Sequence, residues 1–265
     1  MMNILDTIVA KKKTEVAERK VVQTISDLEV LSLFSKPTLL LSEFLLRTDK
    51  TGIIAEFKKQ SPSKGIINNC SATVDVVTAY EKYGASAISV LTDDRFFGGS
   101  LNDLKEAANS VNIPLLRKDF IIDEYQLVES KAYGADIILL IAACLSKGEV
   151  KKLSATAKEL QLNVLLEIHN EQELEHICDD VDVVGINNRD LKTFKVDINH
   201  SIELAKKIPS QKIKISESGI DNVKTIDHLK RNGFSGFLIG EKFMKEENPG
   251  KAFEKFVNGL KQESK

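Results

Sequence analysis

The chain has no tryptophan, four tyrosines and only three cysteines in 265 residues. Cys70, Cys144 and Cys178 are odd in number and far apart, so they draw no disulfide framework and no CxxC metal or redox pair. That usage suits a reducing compartment, and a cytoplasmic protein is expected. Long apolar stretches are also missing. The longest, Ile137–Leu145, has nine residues, whereas a spanning helix needs about twenty. The stretch Met1–Lys20 lacks the uninterrupted apolar core of a signal peptide. No sign of charge dominates: 37 Lys+Arg stand against 39 Asp+Glu, a net −2. A nucleic-acid binder needs a concentrated basic surface to displace counterions, so that class is set aside. Neither GxGxxG nor GxxxxGKS/T occurs, which removes the usual phosphate turn of a doubly wound sheet.

What is present is a core-forming composition, 42% hydrophobic, with a recurring pattern. From residue 52 onward, β-rich runs alternate with amphipathic stretches. The runs are Ile53–Phe57, Ala87–Leu91, Ile113–Leu116, Asp136–Ile141, Asn163–Ile168, Val181–Ile186, Lys212–Ser216 and Gly236–Ile239. Several are apolar throughout, as strands covered on both faces must be. Each gap between them leaves room for one crossover helix. Ser71 and Asp221 are placed to cap two of these helices, Ser146 with Glu149 makes a capping-box pair, and Pro249 opens a last one. Gly84, Gly134 and Gly233 stand just before the next strand, where a left-handed helix end is wanted.

Eight βα units over residues 51–265 predict an α/β fold, a (β/α)8 TIM barrel. Residues 1–50 fall outside the repeat. Ile4, Leu5, Ile8, Val9 and Val16 have helical spacing, and Pro37–Leu46 reads as another short helix. About fifty residues make too small a core to stand alone. They are expected as extra N-terminal helices packed on the barrel, making 1–265 one domain. Lys11-Lys12-Lys13 reads as a solvated helix face.

Chemistry in a parallel barrel stands at the C-terminal ends of the strands. There the chain places Glu56 and Lys58, Lys118, Glu167, Asn187 and Arg189, Glu217 with Ser218-Gly219, and Gly240-Glu241. Glu56 and Lys58 are two apart and share a side. In a poorly hydrated mouth each biases the other's pKa toward acid–base usefulness near neutral pH. Lys118 and Glu167 converge on the same space from other strands. Singly, each of these residues is a rim salt bridge. As a set they point to function, because burying so many charges at one end is costly unless they pair or meet a ligand.

The loops opening on Ser218-Gly219 and on Gly240 offer free backbone N–H groups where barrels often hold phosphate. Tight turns alone also account for the glycines. Phe96, Phe97 and Phe120 stand either as an apolar wall beside the charges or as ordinary packing. His169 and His176, seven apart, miss the spacing of a metal pair; His169 follows strand 5 near Glu167, which leaves a site role open, although a helix-start or surface residue is the favoured reading.

Taken together, the strand ends resemble those of the indole-3-glycerol phosphate synthases. The matching segments include Ile4-Leu5-Asp6, Ala55-Glu56-Phe57-Lys58, Ser61-Pro62-Ser63-Lys64-Gly65, Phe97-Gly98-Gly99-Ser100, Arg117-Lys118-Asp119-Phe120, Leu166-Glu167-Ile168-His169, Gly185-Ile186-Asn187-Asn188-Arg189-Asp190-Leu191, Ser216-Glu217-Ser218-Gly219 and Leu238-Ile239-Gly240-Glu241. Their order and spacing make the resemblance specific.

It implies ring closure, decarboxylation and dehydration of 1-(2-carboxyphenylamino)-1-deoxyribulose 5-phosphate, without cofactor or metal. The implied partner is that phosphorylated small molecule alone, and the chain is expected as a monomer or weak homodimer. Carried over residue by residue, Lys118 is the general acid. Lys58 contacts the anionic groups and is a second proton donor. Glu56 and Glu167 are the acid–base carboxylates. Asn187 and Glu217 complete the catalytic set, and Ser61 and Arg189 contact substrate. Ser218, Gly219 and Gly240 face the phosphate, while Phe97, Phe120 and Leu139 form the slot for the anthranilate ring.

Three rivals remain at this level. A Schiff-base aldolase would use Lys118 or Lys58 as nucleophile. A sister isomerase of the same pathway pairs a Cys after strand 1 with an Asp, where this chain has Glu56 and Lys58. A non-catalytic barrel that only binds a phosphometabolite would lack one of the acid–base residues, yet Glu56, Lys58, Lys118 and Glu167 are all present.

Overall fold

The computed structural model describes residues 4–190 and 195–263, so Met1 of the expected extension and Leu191 of the strand 6 segment lie outside the described residues. Eight parallel strands close into a barrel: β1 Ile53–Phe57, β2 Ala87–Leu91, β3 Leu115–Lys118, β4 Ile137–Ile141, β5 Asn163–Ile168, β6 Val183–Asn187, β7 Ile213–Glu217 and β8 Gly236–Ile239. β1 pairs with both β2 and β8, which closes the ring.

Strands β3, β6 and β7 start and end later in the chain than their apolar runs suggest. Pro114 has no N–H for the ladder, so β3 starts at Leu115 and runs on until Lys118 pairs with Leu91. Asn187 pairs with Glu217 in the same way. β4 also starts one residue late, at Ile137, because Asp136 turns its carboxylate onto the backbone N–H groups of Leu39 and Leu115, each at 2.9 Å.

Alternation along the strands builds the site. Ile54, Leu116, Leu165, Val183, Ile215 and Leu238 form the packed interior of the barrel. Two residues further on, and so on the same side, stand Glu56, Lys118, Glu167, Gly185, Glu217 and Gly240. The opposite faces of the strands pack on the surrounding helices.

Those helices include α4 Thr73–Lys82, α5 Asp94–Phe97, α6 Leu101–Ala108, α7 Glu124–Ala132, α8 Lys147–Glu159, α9 Ile198–Ala205, α10 Val223–Arg231, α11 Glu241–Met244 and α12 Pro249–Glu263. Ser146 and Glu149 form the expected capping box on α8. The other two caps differ from expectation. Asn222, not Asp221, immediately precedes α10 and accepts the N–H of Thr225 at 2.9 Å. Ser71 lies one residue outside the α4 cap, Ala72, and its own N–H is taken by Asn68 at 3.0 Å. Gly84, Gly134 and Gly233 have φ of +97°, +85° and +83°, the left-handed helix ends anticipated. The short β5–β6 connection holds only a 3-10 turn, Glu171–His176.

Before the barrel come α1 Ile4–Val22, α2 Ile25–Glu29 and α3 Leu41–Leu46. The helix expected over Pro37–Leu46 shrinks to α3. The backbone before it is drawn out by side chains at the strand starts: Asn163 donates to the Leu39 carbonyl at 3.0 Å and Asp136 accepts the Leu39 N–H. Leu41 and Leu45 then plug the N-terminal end of the barrel interior. α2 lies on α7, with Leu28 against Tyr125 and Val128. Among the described residues no helix is long and apolar enough to cross a membrane.

Leu41 is fully buried in that plug. Leu41→Ala is expected to cost about 3 kcal/mol through the lost contacts and the cavity left behind, measured as a fall in unfolding free energy in urea titrations.

Candidate active site

At the C-terminal ends of the strands lies a cavity of about 400 Å³, and all fourteen residues carried over from the family resemblance line it. Its centre is the ammonium of Lys118. Nζ stands 2.7 Å from Oε2 of Glu217 and 2.9 Å from Oε2 of Glu167. Asn187 donates to the other Glu167 oxygen at 3.2 Å. Beside this group, Lys58 donates to Oε1 of Glu56 at 2.6 Å, as the shared side of the two residues requires.

Lys118, Glu167 and Glu217 set one another's protonation. Burial opposes the charged form of Lys118, but Glu167, Glu217 and Glu56 outweigh it and raise its pKa. The two carboxylates that share the ammonium diverge. Burial raises Glu217, against the pull of Lys118 and with the help of Glu167, to about 7. Burial also acts to raise Glu167, yet Lys118 and His169 overcome it and hold the group well below the usual carboxylate range. Two carboxyls on one cation thus take different states, one ionised and one titrating near neutrality.

Glycine makes room for two of these side chains. A Cβ on Gly185 would stand 2.2 Å from Oε1 of Glu217, and one on Gly240 would stand 2.5 Å from Oε1 of Glu56. Gly240 therefore does more than permit a turn. Ser218 and Gly219 follow β7 with φ of +69° each. A left-handed serine is strained and needs outside support. Asn188 supplies it, donating to the Ser218 carbonyl at 2.7 Å and to Ser216 Oγ at 3.0 Å.

The apolar side of the cavity holds Leu139 with Phe97 and Phe120, whose ring centroids are 6.1 Å apart. This settles the location of Phe97 and Phe120, while Phe96 is not on the cavity wall. Ser61 sits in a two-residue hairpin, Gln60–Ser61 against Gly65–Ile66. Arg189 lies 3.9 Å from Glu241 at the rim.

Several participants escaped the sequence reading. Lys12 is not solvated: its side chain is fully buried, with Nζ 2.7 Å from Asp93 and 2.9 Å from both Asp119 and Glu15. The signal for this was its place four residues from Ile8 and four from Val16, on the buried stripe of α1. Asp119 also binds Arg117, which is wholly buried and reaches Thr92, Glu129 and Ser130. This network seats α1 on the barrel, so Ile4, Leu5 and Ile8 join the cavity wall. His169 is likewise not a surface residue: its side chain is 10% exposed and touches Glu167. Among the described residues no group of His, Cys, Asp or Glu is arranged to hold a metal ion.

Comparison with known proteins matches residues 5–256 to the family model described as indole-3-glycerol phosphate synthase. The chain belongs to the indole-3-glycerol phosphate synthase family. A relative of that name from Bacteroides thetaiotaomicron is 44% identical over 260 residues, covering 98% of this chain and 100% of its own. Another, from Prochlorococcus marinus, is 43% identical over 97% of this chain and 90% of its own. Among solved structures, a mutant tryptophan synthase alpha-subunit from Pyrococcus furiosus superposes with a TM-score of 0.62 at 17% identity. It covers 81% of this chain and 100% of its own, and it shows the shared barrel fold.

The raised Glu217 has a consequence for stability. Its folded pKa of about 7 exceeds the ordinary 4.5, so the folded chain binds this proton more tightly than the unfolded one. The resulting stabilisation is complete below pH 4.5 and lost as pH rises through about 7. In urea titrations across that window, the stability of the wild type relative to Glu217→Gln is expected to decline as pH rises. A flat difference would mean that Glu217 is ionised throughout.

Proposed function

We infer that this chain is an indole-3-glycerol phosphate synthase, converting 1-(2-carboxyphenylamino)-1-deoxyribulose 5-phosphate to indole-3-glycerol phosphate, carbon dioxide and water. The observation that carries the reading is the ammonium of Lys118, held between Glu167 and Glu217 inside a cavity with one apolar wall.

The ring carbon that bears the carboxylate attacks the ketone, and the carbonyl electron pair moves to oxygen. Lys118 stabilises that oxygen as it gains charge and gives it a proton. The bond to the carboxylate then breaks, its electron pair restores the aromatic ring, and carbon dioxide leaves. In the last step the new hydroxyl departs as water with a proton from an acid, while the neighbouring carbon loses a proton to a base. Lys58, Glu56 and Glu167 supply these two transfers, and Glu217, titrating near neutrality, is suited to exchange protons with Lys118. Asn187 holds Glu167 in place. Arg189 and Ser61 contact the substrate, the phosphate lies toward Ser218, Gly219 and Gly240, and the anthranilate ring enters the slot of Phe97, Phe120 and Leu139.

A Schiff-base aldolase needs a neutral lysine, with its pKa lowered. The carboxylates around Lys118 raise it instead, which argues against that use of the residue. The enzyme reading places the chain in the cytoplasm as a monomer or weak homodimer, in keeping with three free thiols.

The direct test is appearance of indole-ring fluorescence when the carboxyphenylamino sugar phosphate is added in metal-free buffer. Lys118→Met is expected to lower kcat at least about a hundredfold with an unchanged circular dichroism spectrum. Activity near that of the wild type would remove Lys118 from the acid role. Glu167→Gln is expected to lower kcat while leaving KM within about twofold; a change confined to KM would make Glu167 a binding residue.

A further inference from the structure

We propose that His169 is a positioning residue, which fixes the carboxylate of Glu167 from behind through its ring Nε2. The inference rests on the reading of Glu167 as an acid–base group. His169 is the first residue beyond β5 and two residues from Glu167, so both side chains leave the backbone on the same side. Nε2 lies 3.1 Å from Oε1 of Glu167. That oxygen also receives Asn187, while Oε2 receives Lys118. Two hydrogen bonds and one ion-pair contact, from three strand ends, thus hold one carboxylate. His169 does not line the cavity, so it acts through Glu167 and not on the substrate.

The ring is held from its other edge as well. Nδ1 lies 3.3 Å from Oε2 of Glu173, and the same oxygen accepts the backbone N–H of His169 at 2.7 Å. Asn170 donates to the second Glu173 oxygen at 2.7 Å. His200 on α9 approaches the His169 carbonyl at 3.1 Å. Burial opposes the charged ring, but Glu167 and Glu173 outweigh it and raise the pKa to about 10. Both nitrogens therefore carry hydrogen at neutral pH. From the cavity outward the groups run Glu217, Lys118, Glu167, His169, Glu173, with cation and carboxylate alternating. A ring fixed at both ends sets the angle at which Glu167 faces the substrate, and small misplacements of such groups are costly.

The two ring nitrogens can be separated by substitution. His169→Gln keeps a donor near the position of Nε2, toward Glu167. His169→Asn keeps one near Nδ1, toward Glu173, and His169→Leu keeps neither. Steady-state kinetics of the full chain are expected to show kcat lowered at least about tenfold in His169→Asn and His169→Leu. KM is expected to stay within about twofold, and His169→Gln to retain most of the rate. In a Glu167→Gln background the His169 substitutions are expected to cost no further rate. If His169→Leu does not fold, the Gln and Asn pair carries the test. Equal loss in Gln and Asn, unchanged kcat in Asn, or a full additional loss in the Glu167→Gln background each overturns the proposal. Should Glu167→Gln alone keep full kcat, the acid–base reading of Glu167 fails first, and that result is distinguishable from a failure at His169.

Discussion

The ammonium of Lys118, sharing itself between Glu167 and Glu217, is the interaction around which the mouth of the barrel is organised. Three glutamates buried at one end of a barrel repel one another and lose their hydration. Lys118 and Lys58 stand among them and offset their charge. One carboxyl gives up its charge near neutral pH while its neighbour keeps it far below. Such a division suits acid–base chemistry, with a cation, a carboxylate that stays ionised and a second carboxyl that exchanges protons near neutrality.

A second charged network adjoins the first and reaches the cavity wall only at Asp119. Lys12, Asp93, Asp119, Arg117 and Glu129 form a buried chain that joins α1, the ends of β2 and β3, and α7. Asp119 adjoins Lys118, so the same strand end carries a member of each network. The backbone of β3 is thereby pinned on both faces, which limits the freedom of the residue at the centre of the site. At the other end of the barrel, the side chains of Leu41 and Leu45 close the interior, and Asn163 accepts the backbone N–H of Leu41 at 3.3 Å. The N-terminal extension thus works at both ends, as part of the site wall above and as a plug below.

The backbone contributes in two further ways. Gly185 and Gly240 leave space that Glu217 and Glu56 occupy, so these glycines belong to the charged cluster by virtue of the side chain they lack. Ser218 holds a left-handed conformation under the grip of Asn188, and the loop it opens lines the cavity. Strain of this kind survives only where neighbours over-determine it.

Eight β-rich runs spaced for crossover helices, three of them preceded by a glycine helix end, are a local property of the chain, and they determined the barrel and its strand order. The two-residue alternation beyond Ile54, Leu116, Leu165 and Ile215 likewise determined that Glu56, Lys118, Glu167 and Glu217 share the inner side. Local pattern says which way a side chain points. It does not say what waits there, because partners come from strands tens of residues away. Only the tertiary structure decided that Lys12 is buried among carboxylates, that His169 stands behind Glu167, and that β3 runs on to Lys118. The same holds for protonation: Glu167 and Glu217 are the same residue type at equivalent strand ends, and the charges packed around each in the folded chain set them apart.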